Sequence, residues 1–273
     1  NGRTFEEPVS FLKHKRRTEI EAEDSWYPWV SRGNGEDIIV AFDYHICRDH
    51  NNAQDPRGHI PERHNLYYMV FDTKKNIWKN VKNESLAMPL TKEMADEKTL
   101  VKQIPNDWTF QAIADVDSNE NPQVGVMVGS DVGAKRSGPK RIQHFRWNGQ
   151  EWLQGNTDNL PKGDADIEVK SATQVSLYSE GKTQEEVGEI SRWDSFDGGK
   201  TFKKNKVFLS RENSEFVISA LIDNSHPDAR IIVAQKEEGS DFRKMYLIGD
   251  NGPIKRNKKE TILEKSIIKQ TNQ

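Results

Sequence analysis

The sequence predicts an all-β fold, a β-propeller built from four-stranded antiparallel blades. Three observations predict it. Hairpin signatures recur along the chain, most of them are followed by a further strand closing in a tight polar turn, and apolar residues at helical spacing are confined to two short lysine-rich stretches.

The first hairpin runs from Trp29 to Asp43 and turns at Gly33-Asn34-Gly35; the second runs from Phe110 to Val128 through an Asp/Asn-rich turn with Pro122. A third, looser copy is "SATQVSLYSEGKTQEEVGEISRW". The fourth is "FVISALIDNSHPDARIIVAQ", turning at Asp223-Asn224-Ser225-His226-Pro227. The strands that follow read "LYYMVFDTKKNIWKN", "IQHFRWNGQEWLQ", "ISRWDSFDGGKTFKK" and "KMYLIGDNGPIKR". Taking Tyr68, Phe145, Trp193 and Tyr246 as equivalent gives spacings of 77, 48 and 53 residues. Such spacings fit propeller repeats of roughly 40 to 50 residues once one long insertion is allowed. With strand-like ends such as "EPVSFLKH", about five blades are expected in a single domain over residues 1–273. Because exposed edges must be protected, this is either a small closed ring or one whose N-terminal blades lie outside the chain. The two helical stretches, Leu90 to Val101 and "KKETILEKSIIKQ", are expected to be peripheral.

The sharpest local motif is Ser195-Phe196-Asp197-Gly198-Gly199-Lys200-Thr201-Phe202, an Asp-box pattern of the kind found in sialidase-like propellers. Its carboxylate can accept backbone N–H bonds across the turn, its glycines supply φ > 0, and its aromatic can pack between sheets. The motif is therefore read as structural. "FDTKKNIWKN" is a degenerate copy that keeps Asp72 and Trp78.

Composition bounds the function. Of 273 residues, 34% are apolar, 9% aromatic and 30% charged, enough to build a core. The mean hydropathy is -0.87, and no run approaches the ~18 apolar residues of a membrane span. Forty basic against forty-three acidic side chains leave a net charge of -3, which gives no support to a nucleic-acid binder. The single Cys47 rules out an internal disulfide framework and a multi-cysteine zinc site. A start at Asn1 with no apolar leader fits a mature secreted or periplasmic protein, here expected to be monomeric, or a fragment of a longer one.

Chemistry concentrates between Asp43 and Tyr68, which holds His45, His50, His59 and His64 interleaved with Arg48, Arg57 and Arg63. His45 and His64 flank the loop where strands should fix them. Histidines there suit acid/base work near neutrality. A guanidinium from Arg63, Arg146 or Arg192 could hold an anionic substrate. Metal binding by His45, Cys47, His50 or His64 is conceivable, but no HExxH or paired-cysteine spacing is present, so no metal site is assigned, a structural ion is not indicated and no cofactor is required. Asp43, Asp115, Asp117, Asp166 and Asp223 mostly sit at strand ends and turns, where local hydrogen bonds account for them. Trp26, Tyr27, Trp29 and Trp108 are candidate sugar platforms that a propeller core would absorb as readily.

The combination of "IVAFDYH", "ERHNLYYMVFD", "ADVDSNENPQVGVMV", "QHFRWNGQEW" and "HPDARIIVAQ" with "KMYLIGDNGPIKR" resembles the BNR-repeat proteins related to ulvan lyases. The resemblance covers roughly residues 25 to 258. It implies a polysaccharide lyase that cleaves an anionic, uronate-containing polysaccharide by β-elimination, on a propeller whose complete form has seven blades. It further implies that His45 and His64 transfer protons and that Arg146 neutralises the uronate carboxylate. Arg63, Arg192, Tyr44 and Tyr67 are expected to bind substrate. The family's Tyr before that Arg is missing, since no Tyr lies between Phe110 and Trp147. Either the two histidines share the base and acid roles, or Tyr44, Tyr67 or Tyr178 substitutes, or the reaction is lost. A non-catalytic carbohydrate-binding propeller and a sialidase-like hydrolase are the alternatives.

Overall fold

The structure, a computed structural model, describes residues 7–49, 61–129 and 140–254, apart from 184, 186, 223, 224, 238 and 240. Four antiparallel sheets follow one another along the chain. The first contains β1 (Lys15–Arg17), β2 (Ala22–Arg32), β3 (Ile38–Arg48), β4 (Pro61–Asp72) and β5 (Ile77–Lys79) in that order. The helix α1 (Lys92–Lys98) then leads to β6 (Leu100–Lys102), which pairs with β4. The second sheet holds β7 (Trp108–Val116), β8 (Pro122–Gly129), β9 (Arg141–Trp147) and β10 (Trp152–Gln154). The third holds β11 (Ala165–Val169), β12 (Val175–Lys182), β13 (Gly188–Ser195) and β14 (Lys203–Arg211). The fourth holds β15 (Ser214–Leu221), β16 (Ile231–Glu237), β17 (Arg243–Gly249) and β18 (Gly252–Pro253).

These are the blades of a β-propeller, and the described residues form four of them where about five were expected. The N-terminal strand-like segment builds no sheet of its own: Leu12 bridges to Leu90, and Lys15–Arg17 pair onto the start of β2. With the short edge strand β1 set aside, so that the first sheet is counted from β2, Tyr68, Phe145, Trp193 and Tyr246 all fall on the third strand of their sheets. The third hairpin copy is shifted by one strand, since it comprises β12 and β13 whereas the others comprise a first and second strand. The C-terminal helical stretch lies outside the described residues.

Strand alternation makes sheet faces apolar on both sides. On the second sheet, Ala112, Val124, Val126 and Phe145 pack against Ile39, Ala41 and Tyr68 of the first. The intervening Ile113, Met127 and Ile142 point the other way, onto Ile167, Leu177 and Trp193 of the third. Tyr178, Ile190 and Phe208 in turn meet Phe216, Ile231 and Val233 of the fourth. Fully burying a side chain of this size contributes roughly 1.5–3 kcal/mol. On the outer face of the first sheet, Trp26, Phe42 and Tyr67 are covered by Leu90 and by Ala95 of α1, whose N-cap Thr91 accepts the Met94 N–H at 3.3 Å.

The Asp-box behaves as its sequence suggests. Asp197 accepts the Lys200 and Thr201 N–H groups at 3.0 Å and the Thr201 hydroxyl at 2.7 Å. Partial burial opposes ionisation, yet the hydrogen bonds from Thr201, Ser195 and Lys200 hold its carboxyl down to about 2. Phe202 wedges edge-on against His144 of the second sheet, with ring centroids 5.2 Å apart. Gly199 is required there, because a Cβ would lie 2.3 Å from His144 Cε1 at a φ of +84°.

His144 and Glu180 are both buried and both reluctant to ionise. Burial pushes the His144 imidazole down to about 4, while the nearby Gly199 carbonyl acts the other way; neither ring nitrogen makes a well-formed hydrogen bond among the described residues. Burial, reinforced by the like charge of Asp164, pushes Glu180 up to about 7. The linkage signs are opposite. For His144, the unfolded chain takes up a proton first, so stability is lost as pH falls from 6.5 towards 4. For Glu180, the folded chain holds its proton longer, so stability is lost as pH rises from 4.5 to about 7. Each effect is on the order of 3 kcal/mol over its window. The two slopes offset each other where the windows overlap. Urea unfolding across pH should show His144→Gln losing stability as pH rises and Glu180→Gln losing it as pH falls. Profiles for both variants parallel to the parent would show that neither group is linked to folding.

Candidate functional site

The residues singled out around the β3–β4 connection are fixed by strand register. His45 stands opposite Ser25 on β2 and Arg63 on β4, and Tyr44 stands opposite His64. Neighbouring positions alternate between faces. His45 and Arg63 therefore share the face turned towards the second sheet, while His64 projects to the other. His45 is 3% exposed, with its ring 4.8 Å from Tyr27 and Nδ1 3.3 Å from the Cys47 Sγ. The Arg63 guanidinium lies over the same Tyr27 ring at 3.6 Å, a cation–π contact. Below them Asp43 accepts the Thr109 hydroxyl of β7 at 2.9 Å. Burial drives the Asp43 carboxyl well above the usual range, and the Arg63 charge opposes this. Burial likewise raises the Cys47 thiol, which keeps it protonated.

A bulge shapes this corner. Asn65 and Leu66 of β4 together face Asp43, between the pairs Tyr44–His64 and Phe42–Tyr67. Asn65 adopts a left-handed φ of 66°, accepts the Ile104 N–H at 2.8 Å and donates to the Tyr67 hydroxyl at 3.0 Å. The segment after β6 is thereby held beside His64, whose Nδ1 sits 3.3 Å from the Ile104 carbonyl. The other nitrogen, Nε2, is 3.7 Å from Glu62, which also binds Arg48. Glu62 raises the His64 imidazole despite burial, with the Ile104 carbonyl adding to the effect. His64 in turn leads the interactions that hold Glu62 down to about 2. Both ring nitrogens thus face acceptors, an arrangement that fits an imidazolium donating twice.

The structure does not bring the other expected residues to this corner. Arg146 pairs with Gln123 at the start of β8, whereas Thr109, the neighbour of Asp43, pairs with Val128 near the strand's end. Arg146 therefore occupies the opposite end of the second sheet, and by alternation it shares the His144 face, towards the third sheet. Arg192 belongs to the third sheet, where its Nε lies 3.1 Å from Asp194. Tyr44 and Tyr67 lie on the outer face of the first sheet, in the cluster under α1. Tyr44 donates to Asp24, and Tyr67 donates to Asp96 at 2.7 Å. The Tyr178 hydroxyl is committed to Glu168 at 3.0 Å. Trp26 and Trp108 are core residues, whereas Tyr27 is 39% exposed and stacks on Trp29. His50, His59 and Arg57 lie outside the described residues. Among the described residues no group of three His, Cys, Asp or Glu side chains is arranged to hold a metal ion. Sequence reasoning undervalued Tyr27 and Arg63; strand pairing, not spacing, unites them with His45.

Tyr67→Phe should lower stability by about 1 kcal/mol and leave the affinity for a uronate oligosaccharide unchanged. Thermal unfolding and calorimetric titration check this. A weakened affinity with unchanged unfolding would put the hydroxyl on the ligand.

No protein-family model matches the chain. It is 78% identical over 260 residues to an ulvan lyase of Nonlabens ulvanivorans, an alignment spanning 95% of this chain and 55% of that protein. Identity to an ulvan lyase of Alteromonas sp. (strain LOR) is 44%, over 94% of this chain and 53% of the relative. The chain thus spans about half the length of the curated relatives it matches. A solved ulvan lyase of polysaccharide lyase family PL25 superposes with a TM-score of 0.87 at 41% identity, covering 96% of this chain and 60% of that one. The same fold has been solved bound to -[GlcA(1-4)Rha3S]-, again at 41% identity and a TM-score of 0.87. In sequence and in fold, the chain is a relative of the ulvan lyases.

Proposed function

We propose that the protein of which this chain is part cleaves an anionic, uronate-containing polysaccharide of the ulvan type by β-elimination. The observation that carries this reading is 78% identity over 260 residues to an ulvan lyase. In such a reaction a base removes the C5 proton beside the uronate carboxylate, the C4–O bond breaks, a C4=C5 double bond forms, and the departing oxygen gains a proton. Removing that proton is feasible only where the charge developing on the carboxylate is neutralised.

His45 is the proton-transfer group in this reading, and Arg63, directly across the strand pair, is the guanidinium that meets the carboxylate. That role was expected of Arg146, whose place at the far end of the second sheet supports reassigning it. His64, held between Glu62 and the Ile104 carbonyl, acts in this reading by fixing the strand end that carries Arg63. Tyr27 offers a partly exposed ring beside His45 and Arg63, a surface on which a sugar could stack. A polymer of this kind is met outside the cytoplasm, which supports a secreted or periplasmic location.

Incubation with ulvan should raise the ultraviolet absorbance of unsaturated uronate ends. His45→Gln should cut that rate at least ~100-fold, and Arg63→Ala by a similar factor, in variants whose thermal unfolding remains cooperative. Ordinary reducing ends without unsaturation would make the protein a hydrolase, and retention on ulvan without cleavage would make it a lectin. Near-complete burial of His45 is the feature that most favours the binding-only alternative.

A further inference from the structure

At the end of the blades away from His45, the first two sheets part around a cavity of about 500 Å³. Its walls are the β2–β3 turn, the residues after β5, and the β7–β8 and β9–β10 turns. The Asn34 side chain donates to the Asp117 carbonyl at 2.9 Å and ties two of these turns together. The volume lies within the ~300–1,000 Å³ of small-molecule sites. A second cavity, also of about 500 Å³, shares Asn80, Val81, Lys82 and Trp147 with it and continues along Trp152, so the space is elongated.

Tyr68 makes this more than a gap between blades. The residue is 2% exposed and lines the cavity, and its hydroxyl, which is not one of the buried polar atoms left unpaired, opens onto that space. Burial holds the phenol protonated, and the charges of Asp115, Glu120 and Asp37 add to the effect. A phenol so placed can donate to and accept from whatever fills the cavity. Asp37, Glu120, Asn119, Lys82 and Trp147 also line the cavity, and the charges of Asp37 and Glu120 reach the phenol. Lys79 also lines the wall but is bonded to Asp72 at 2.9 Å. The lining therefore mixes donors and acceptors around an indole and offers no surplus of positive charge.

We propose that this interblade cavity is a saccharide-binding site separate from the His45–Arg63 corner, and that it takes an uncharged sugar unit whose hydroxyls pair with Tyr68, Asp37 and Glu120. Two carboxylates beside the phenol disfavour uronate or sulfate groups, whereas sugar hydroxyls donate to them readily. The inference does not depend on the elimination chemistry.

Calorimetric titration of the intact protein tests it, with xylobiose and cellobiose as neutral probes and glucuronate as the charged one. Saturable binding of a neutral disaccharide is expected, weakened about tenfold by Tyr68→Phe and unaffected by Arg63→Ala. Tyr68→Phe keeps the ring and its packing, and Asn119→Ala, at a turn, provides a second variant expected to weaken binding. Three results would overturn the proposal: no saturable binding of either disaccharide, binding lost with Arg63→Ala but untouched by Tyr68→Phe, or a Tyr68-dependent preference for glucuronate.

Discussion

A four-stranded sheet that is apolar on both faces must be covered twice, and this constraint organises the whole chain. The second sheet satisfies it by meeting the first through Phe145 and Val126 and the third through Met127 and Ile142. The inner strands add a repeated carboxylate latch. Asp115 accepts the N–H of Val116 with one oxygen and that of Val169, on the third sheet, with the other at 2.6 Å. Asp166 does the same one blade later, accepting from Ile167 and, at 2.7 Å, from Leu221 of the fourth sheet. Apolar burial sets the distance between blades and the latches set their relative slide, which area alone would leave soft because it is non-directional.

That division of labour explains where polar side chains are free to act. Asp115, Asp166 and Glu168 border an axial cavity, but their oxygens already accept from backbone N–H groups, from Tyr178 or from Arg230. Carboxylates saturated in this way have little left to offer an ion. The His45 corner differs in kind. Tyr27, His45 and Arg63 are positioned by ring contacts and strand pairing, with the His45 ring also against the Cys47 thiol.

The repeat was legible in the sequence because it is carried by strand length and turn chemistry, both local. Phe145, Trp193 and Tyr246 mark third strands, as Tyr68 does once the short edge strand β1 is left out of the count, and the Asp-box forms the turn after β13 that its residues dictate. Blade count was less legible, since "EPVSFLKH" looks like a strand but pairs only at Leu90, and the residues after it, Lys15–Arg17, join the edge of β2. The site residues divide along the same line. His45 could be found from its place at a strand end. Tyr67 could not be discounted, because its place under α1 follows from a face assignment that a single-residue bulge at Asn65–Leu66 resets, whereas Tyr44 reaches the same face by plain alternation with Val40 and Phe42.

Arg146 shows the limit most clearly. Its "HFRW" context is parallel to "ISRW", and both arginines do sit on third strands next to an aromatic of the repeat. A repeat fixes a residue's height within its own blade, however, and a site is made by what different blades present at one height. Arg146 stands level with the β7–β8 turn because Gln123 is its partner, and Arg63 stands level with Thr109 because His45 and Asp43 lie on the strand between them. Each fact depends on pairing across a chain reversal, and the register of a reversal is set by packing of the finished sheet. Two guanidiniums with similar local sequence can therefore end on opposite rims of neighbouring blades, with only one of them beside an imidazole.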